Sequence, residues 1–118
     1  MEIQEIEKTL YTLCKENKYE QAQRQLYSKH AISIEPPQSQ GQQVTKGLEN
    51  IIKKGDQFQA MVQEFHDGWV KEPKVHGNYI SMEMGMDITM KGAGRTKMDE
   101  IALYHVQGGK IVSEQFFF

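Results

Sequence analysis

The chain has 118 residues, enough for one domain and too few for separate catalytic and cofactor domains. Lysine and arginine total 14 and aspartate and glutamate 16, a formal charge of −2, with 38% hydrophobic and 25% charged residues, which excludes a disordered or fibrous chain. So even a balance gives no broad cationic field for nucleic acid or an anionic membrane, and small molecules or proteins are the expected partners.

In chain order, residues 1 to 15 place Ile3, Ile6, Leu10 and Leu13 on one stripe, predicting an amphipathic helix with Cys14 beside it. A second helix is expected from Tyr19 to Ser28. Residues Ala31 to Glu35 alternate as a short strand that Pro36-Pro37 ends. Gln38 to Gln43 reads as loop and Val44 to Gly55 as a third helix with Leu48, Ile51 and Ile52 on its apolar side. From about Phe58 the period becomes two. Strands are expected at Met61 to Lys71, Val75 to Lys91, Arg95 to Val106 and Ile111 to Phe118, with turns at Gly92-Ala93-Gly94 and Gln107 to Lys110. In the second of these Ile80, Met82, Met84, Met86, Ile88 and Met90 share one face. The result is an α+β domain over 1–118, with three helices and a short strand followed by a four-stranded antiparallel meander. Its sheet and helices enclose a cavity.

No apolar run is long enough to span a bilayer, and Met1-Glu2-Ile3-Gln4-Glu5 is acidic where a signal peptide is basic. Cys14 is the single cysteine, so no internal disulfide or thiolate metal site forms, and a reducing cytoplasm is the expected setting. Four histidines show no close pair, and no Walker motif, dinucleotide fingerprint or nucleophile elbow occurs. No cofactor and no metal is expected.

The segments Tyr27 to Glu35, Gly47-Leu48-Glu49-Asn50-Ile51, Met98 to Val106 and Gly108 to Phe117 together resemble the SnoaL-like group of the nuclear transport factor 2-like superfamily. The resemblance implies a cystatin-like conical barrel, in which three N-terminal helices pack on a strongly bent antiparallel sheet around a cavity, usually dimerised through the sheet's outer face. Tyr11 to Pro36 is also similar, without a gap, to the ketosteroid isomerases of that superfamily. That similarity puts Tyr11 on the oxyanion-donating tyrosine, Tyr27 on a second pocket tyrosine and Glu35 on the proton-moving aspartate. The family's protonated aspartate falls on Ala102 and another network tyrosine on Gly55, so half of that machinery is missing.

Glu35 is thus the candidate base and Tyr11 the candidate oxyanion donor, with His66 or Glu100 as a further acid–base group. Alternation extended from the resemblance puts Glu100, Ala102, Tyr104 and Val106, and Glu114, Phe116 and Phe118, on the cavity side. It leaves Asp99, Ile101, Leu103 and His105 outside, and a bulge or one-residue slip exchanges the two sets. Tyr27, Trp69, Met82, Met84, Met86, Tyr104, Glu114, Phe116 and Phe118 form the expected pocket lining, the methionines supplying pliable apolar surface. The bland alternatives are an exposed glutamate before a proline loop, a structural histidine and methionines that simply fill a core. Two functions remain open. One is a pocket for a small hydrophobic or ring-containing molecule, with cofactor-independent proton transfer of isomerase, cyclase or dehydratase type. The other is a non-catalytic homodimeric binding or scaffold module, suggested by Ile101 and Leu103 facing outward.

Overall fold

Helix α1 (Ile3–Lys15) buries Ile6, Leu10, Leu13 and Cys14, the stripe its spacing dictates, and α2 (Tyr19–Leu26) buries Ala22 and Leu26. Asn17, with φ 61°, turns the chain between them. The computed structural model describes residues 1–39 and 43–118. In it follow β1 (Tyr27–Ile34), β2 (Val44–Lys46), α3 (Leu48–Met61), β3 (Val62–Val70), β4 (Lys74–His76), β5 (Tyr79–Met90), β6 (Gly94–Gln107) and β7 (Lys110–Phe117).

Several boundaries depart from the expectation for local physical reasons. Tyr27 and Ser28 open β1 rather than close α2, because Tyr27 already pairs with Ile111. Val44 to Lys46 is a strand paired with Ile32 to Ile34, and Gly47, at φ 94°, makes the left-handed turn from which α3 starts. That helix runs through Gly55 to Met61, so Phe58 is helical. The expected strand from Val75 to Lys91 is broken by a turn at Gly77-Asn78 into β4 and β5, which pair with one another. Of the Gln38 to Gln43 loop, residues 40–42 lie outside the described residues.

The strands form one sheet in the order β2-β1-β7-β6-β5-β3, with β4 on β5. It is mixed rather than wholly antiparallel, since β1 and β7 run parallel. Register fixes its two faces. The inner one carries Ile80 beside Tyr104, Met82 beside Ala102 and Met84 beside Glu100, and Tyr104 and Ala102 stand beside Glu114 and Phe116. There Ile80, Met82, Met84, Ala102, Tyr104 and Ile111 join the buried side chains of α1, α2 and Ile51 in one core.

Across the outer face Trp69 pairs with Gly85, and its indole Nε1 donates to Asp99 Oδ1 at 3.2 Å. A Cβ at Gly85 would stand 2.4 Å from Trp69 Cε2, so only glycine lets the indole lie flat there. Gly85→Ala is expected to destabilise the fold by roughly 1–3 kcal/mol. Replacing Trp69 by Leu in the same chain should relieve most of that strain, which a double-mutant cycle by chemical denaturation measures.

Candidate functional site

The most deeply buried acid among the described residues is Glu114 on β7, only 3% exposed and flanked in the sheet by Ser33 of β1 and Tyr104 of β6. Its two oxygens are separately satisfied. The Tyr27 hydroxyl donates to Oε1, and Ser33 Oγ donates to Oε2 at 2.6 Å. The register shift between Tyr27 and Ile32 lets both residues of one strand reach the same carboxylate. Burial pushes the Glu114 pKa up, while the hydrogen bonds from Ser33 and Tyr27 pull the other way.

Lys54 extends this network toward solvent. It follows Ile51 by three residues and so stands on the face of α3 that packs against β1. Its Nζ donates to Ser33 Oγ at 2.8 Å and to Glu35 Oε1 at 3.0 Å. The side chains of Lys54 and Glu35 keep 29% and 19% of their exposure, so this end of the network is wetted. The Glu35 backbone N–H donates to the Gln43 carbonyl at 2.7 Å, which holds the residue just beyond the end of β1. Glu35, Lys54, Ser33, Glu114 and Tyr27 therefore form one continuous hydrogen-bonded chain from surface to core.

Glu100 on β6 is the third inner acid. It makes no hydrogen bond or ion pair with another described residue. Burial, reinforced by the negative charges of Glu35 and Glu114 and opposed by Lys54, pushes its pKa from 4.5 up to about 7. Tyr19 and Cys14 stand close enough to feel these groups, and burial raises both to about 12, so the thiol stays protonated and unreactive. Tyr104 is also held neutral, its pKa raised by burial.

Of the residues singled out in the sequence, Glu35, Tyr27, Glu100, Tyr104 and Glu114 meet on the inner face, and Met82 and Met84 pack into the adjoining core. Met86 and Phe116 are half-buried on that face. Phe118 ends the chain 49% exposed, past the last strand residue, and lines nothing in the interior. Tyr11 is half-buried on α1, with Lys15 Nζ 4.6 Å from its ring centroid, and no hydrogen bond links it to Glu35. Two residues are corrected outright. A bulge between Phe65 and Asp67 turns His66 to the outer face, where Nε2 lies 2.7 Å from Thr89 Oγ1 and Nδ1 3.6 Å from Glu64. Trp69 lies on the same outer face over Gly85.

Ser33, Lys54 and Tyr19 were missed. Lys54 reads as solvated surface in the run Lys53-Lys54, although its three-residue step from Ile51 marks it as inward. Ser33 alternates with Ile32 and Ile34, and an apolar pair is normally assigned inward; here Ile32 and Ile34 take the outer face. Two open clefts elsewhere, of about 260 Å³ between α1 and α2 and about 400 Å³ around Met1 and the Gly108-Gly109 turn, do not reach this network. Among the described residues no group of His, Cys, Asp and Glu is arranged to hold a metal ion, and no helix is long and apolar enough to cross a membrane.

The model of the SnoaL-like domain matches residues 1–118, and the chain belongs to that family. It is 32% identical to a candidate SnoaL-like polyketide cyclase, also given as a carbohydrate phosphatase, from Mesorhizobium loti, with all of each chain covered and a TM-score of 0.93. A cystatin-like protein of unknown function from Xanthomonas campestris shares the fold at TM-score 0.80 and 16% identity, over 99% of this chain and 90% of that one. So does a ketosteroid isomerase-like protein from Catenulispora acidiphila, crystallised in complex with trimethylamine, at TM-score 0.73 and 16% identity over 97% and 85%. No curated protein matches the chain.

Glu100 provides a direct check on the electrostatics. Because its carboxyl holds a proton more tightly in the folded chain than the ordinary 4.5 allows, folding binds protons between that value and about 7, and stability falls as pH rises through this window. The penalty at pH 8 is on the order of 3 kcal/mol. Glu100→Gln is expected to be more stable than the parent at pH 8, the difference closing near pH 4.5, when thermal unfolding is followed across pH. In a carboxyl NMR titration, Lys54→Met should move the Glu100 midpoint higher still, because it removes the cation that opposes the shift.

Proposed function

We propose that this SnoaL-like domain binds a small, largely hydrophobic organic molecule at the inner face of its sheet, beside Glu35, Lys54 and Glu100, and moves a proton on it without a cofactor. The observation that supports this reading most is the meeting of two carboxyls with different surroundings. Glu35 is held at 3.0 Å by the Lys54 ammonium, whereas Glu100 has no ion-pair partner among the described residues and its carboxyl is pushed up to about 7 by burial. A carboxylate base beside a carboxyl that holds its proton near neutrality is the division of labour that proton abstraction and return require. Glu35 takes the proton from a carbon next to a carbonyl, and Glu100 or a neutral tyrosine hydroxyl donates to the oxygen on which charge develops. Isomerisation, aldol-type cyclisation and dehydration all begin with this step. Tyr11 keeps no part in the scheme, and the donor comes from the interior instead.

The test is exchange of solvent deuterium into the position beside the carbonyl of a panel of cyclic ketones, read by proton NMR. Glu35→Gln is expected to slow any exchange by at least about 100-fold, within the range that a positioned base contributes. Exchange that persists unchanged in Glu35→Gln contradicts the assignment.

A second reading concerns assembly. On the outer face Tyr79, Ile101 and Phe117 are 41%, 46% and 45% exposed, and Ile101 is the cross-strand partner of Phe117. Tyr79 stacks on His105 with ring centroids 4.6 Å apart. Neighbouring apolar residues on an open sheet face favour cover by a second copy of the chain. Sedimentation equilibrium at micromolar concentration is expected to show a dimer that Ile101→Glu converts to monomer; a monomeric parent protein removes this reading.

A further inference from the structure

Phe65 stands apart from the exposed apolar residues of the outer face. It pairs with Ile88 of β5 and so projects from the inner face, yet it is 50% exposed. A second copy of the chain docked over Tyr79, Ile101 and Phe117 would lie on the other side of the sheet and leave it uncovered. Its ring does not stand upright at its own position. A Cβ at Gly68 would be 2.8 Å from Phe65 Cζ, so the ring leans along β3 over that glycine, toward Val70 and the row that holds Glu100. Gly68 is the cross-strand partner of Met86, and Met86 is the partner of Met98. Phe65, Met86 and Met98 therefore form one apolar strip across β3, β5 and β6.

The strip is continuous with the acid end of the site. Met98 precedes Glu100 by two residues on β6, and Met84, two residues before Met86 on β5, is the direct partner of Glu100. From that row outward, the inward positions of β3, β5 and β6 carry no charged side chain among the described residues. Met86 and Met98 are half-buried, so their thioethers still present surface. Glu100 and Gly68 lie two residues and two strands apart, about 12 Å at ordinary strand spacings. A single carbonyl-bearing ring seated at Glu35 and Glu100 falls short of Phe65, whereas a second ring linked to it reaches. An aromatic second ring fits this strip better than a saturated one, because it gains edge-to-face or offset packing on Phe65 and sulfur contacts at its edge.

We infer that Phe65, with Met86 and Met98, forms a specificity-determining subsite, and that the substrate is an elongated aryl ketone whose carbonyl end lies at Glu35 and Glu100 and whose aromatic end packs on Phe65. This inference rests on the proposed reading of the inner face as a ligand site and adds the shape of what enters it. Phe65 acts in binding and takes no part in the proton transfer. Gly68 is a positioning residue, since the missing Cβ is what lets the Phe65 ring lean toward the acids.

The test is NMR titration of the methyl-labelled protein with 4-methyl-, 4-cyclohexyl- and 4-phenylcyclohexanone, paired with the rate of deuterium exchange at saturation. The phenyl compound is expected to bind about ten-fold more tightly than the methyl compound and about three-fold more tightly than the cyclohexyl one. It should also shift the Met86 and Met98 methyl signals by its ring current. Phe65→Ala should abolish the phenyl gain while leaving the affinity for the methyl compound and the saturated exchange rate unchanged. Gly68→Ala, which only has to push aside the far end of a side chain, should reduce the same gain in a folded protein. Equal binding of phenyl and cyclohexyl compounds, or a phenyl gain that survives Phe65→Ala, overturns the subsite and leaves the ligand site standing. A change of association state in Phe65→Ala by sedimentation assigns the strip to a second copy and likewise overturns it. Methyl shifts confined to the outer face, or none with any ketone, overturn both the subsite and the reading beneath it.

Discussion

The interior of this protein is organised around one buried carboxyl. Glu114 sits 3% exposed on the inner face, and burial of a charged or strongly polar group is tolerated only where partners are fixed in place. Those partners dictate much of the neighbouring structure. Tyr27 and Ser33 must come from one strand, which requires the irregularity in β1, and β1 must lie parallel to β7. Lys54 must face inward from α3, which in turn holds that helix over β1 and brings Glu35 into the same chain of hydrogen bonds. The carboxyl thus couples the helical layer to the sheet by directional contacts where the surrounding core of Leu, Ile and Met gives only non-directional packing.

The same arrangement accounts for the state of Glu100. With Glu114 matched by two hydroxyl donors and Glu35 matched by Lys54, no donor among the described residues bonds to the third acid, and burial, reinforced by the other two acids, drives it toward its neutral form. The fold therefore presents a fixed network next to a single uncommitted acid. Function in domains of this architecture resides in the side chains placed on the scaffold rather than in the scaffold itself, and here the uncommitted group is the one with chemical freedom.

Much of the fold was legible because period-two and helical patterns act over many residues. The alternation of Ile80 through Met90 fixes the face of β5, and pairing then fixes Glu100, Tyr104 and Glu114 as inward. What escaped were features set by one or two residues. The bulge at His66 reverses a single side chain, and the space left by Gly85 draws Trp69 to the outer face. Ser33 was hidden because strand alternation says which residues share a face without saying which face is covered, and Ile32 and Ile34 point the wrong way for a simple rule. Lys54 was hidden because a lysine pair on a helix reads as solvent-facing unless the partner awaiting it, here Ser33 and Glu35, is already known. The parallel pairing of β1 with β7 joins segments about 80 residues apart in sequence, a contact that no local pattern encodes.

The most direct measurement is a high-resolution crystal structure of the protein as purified, with the inner face as its object. The account predicts Glu114 accepting from both Tyr27 and Ser33, Lys54 bridging Ser33 and Glu35, and solvent or a bound organic molecule in contact with Glu100. Lys54 extended into bulk solvent, with Glu100 sealed against neighbouring side chains and no space before it, would contradict the central claim and leave an interior built for packing alone.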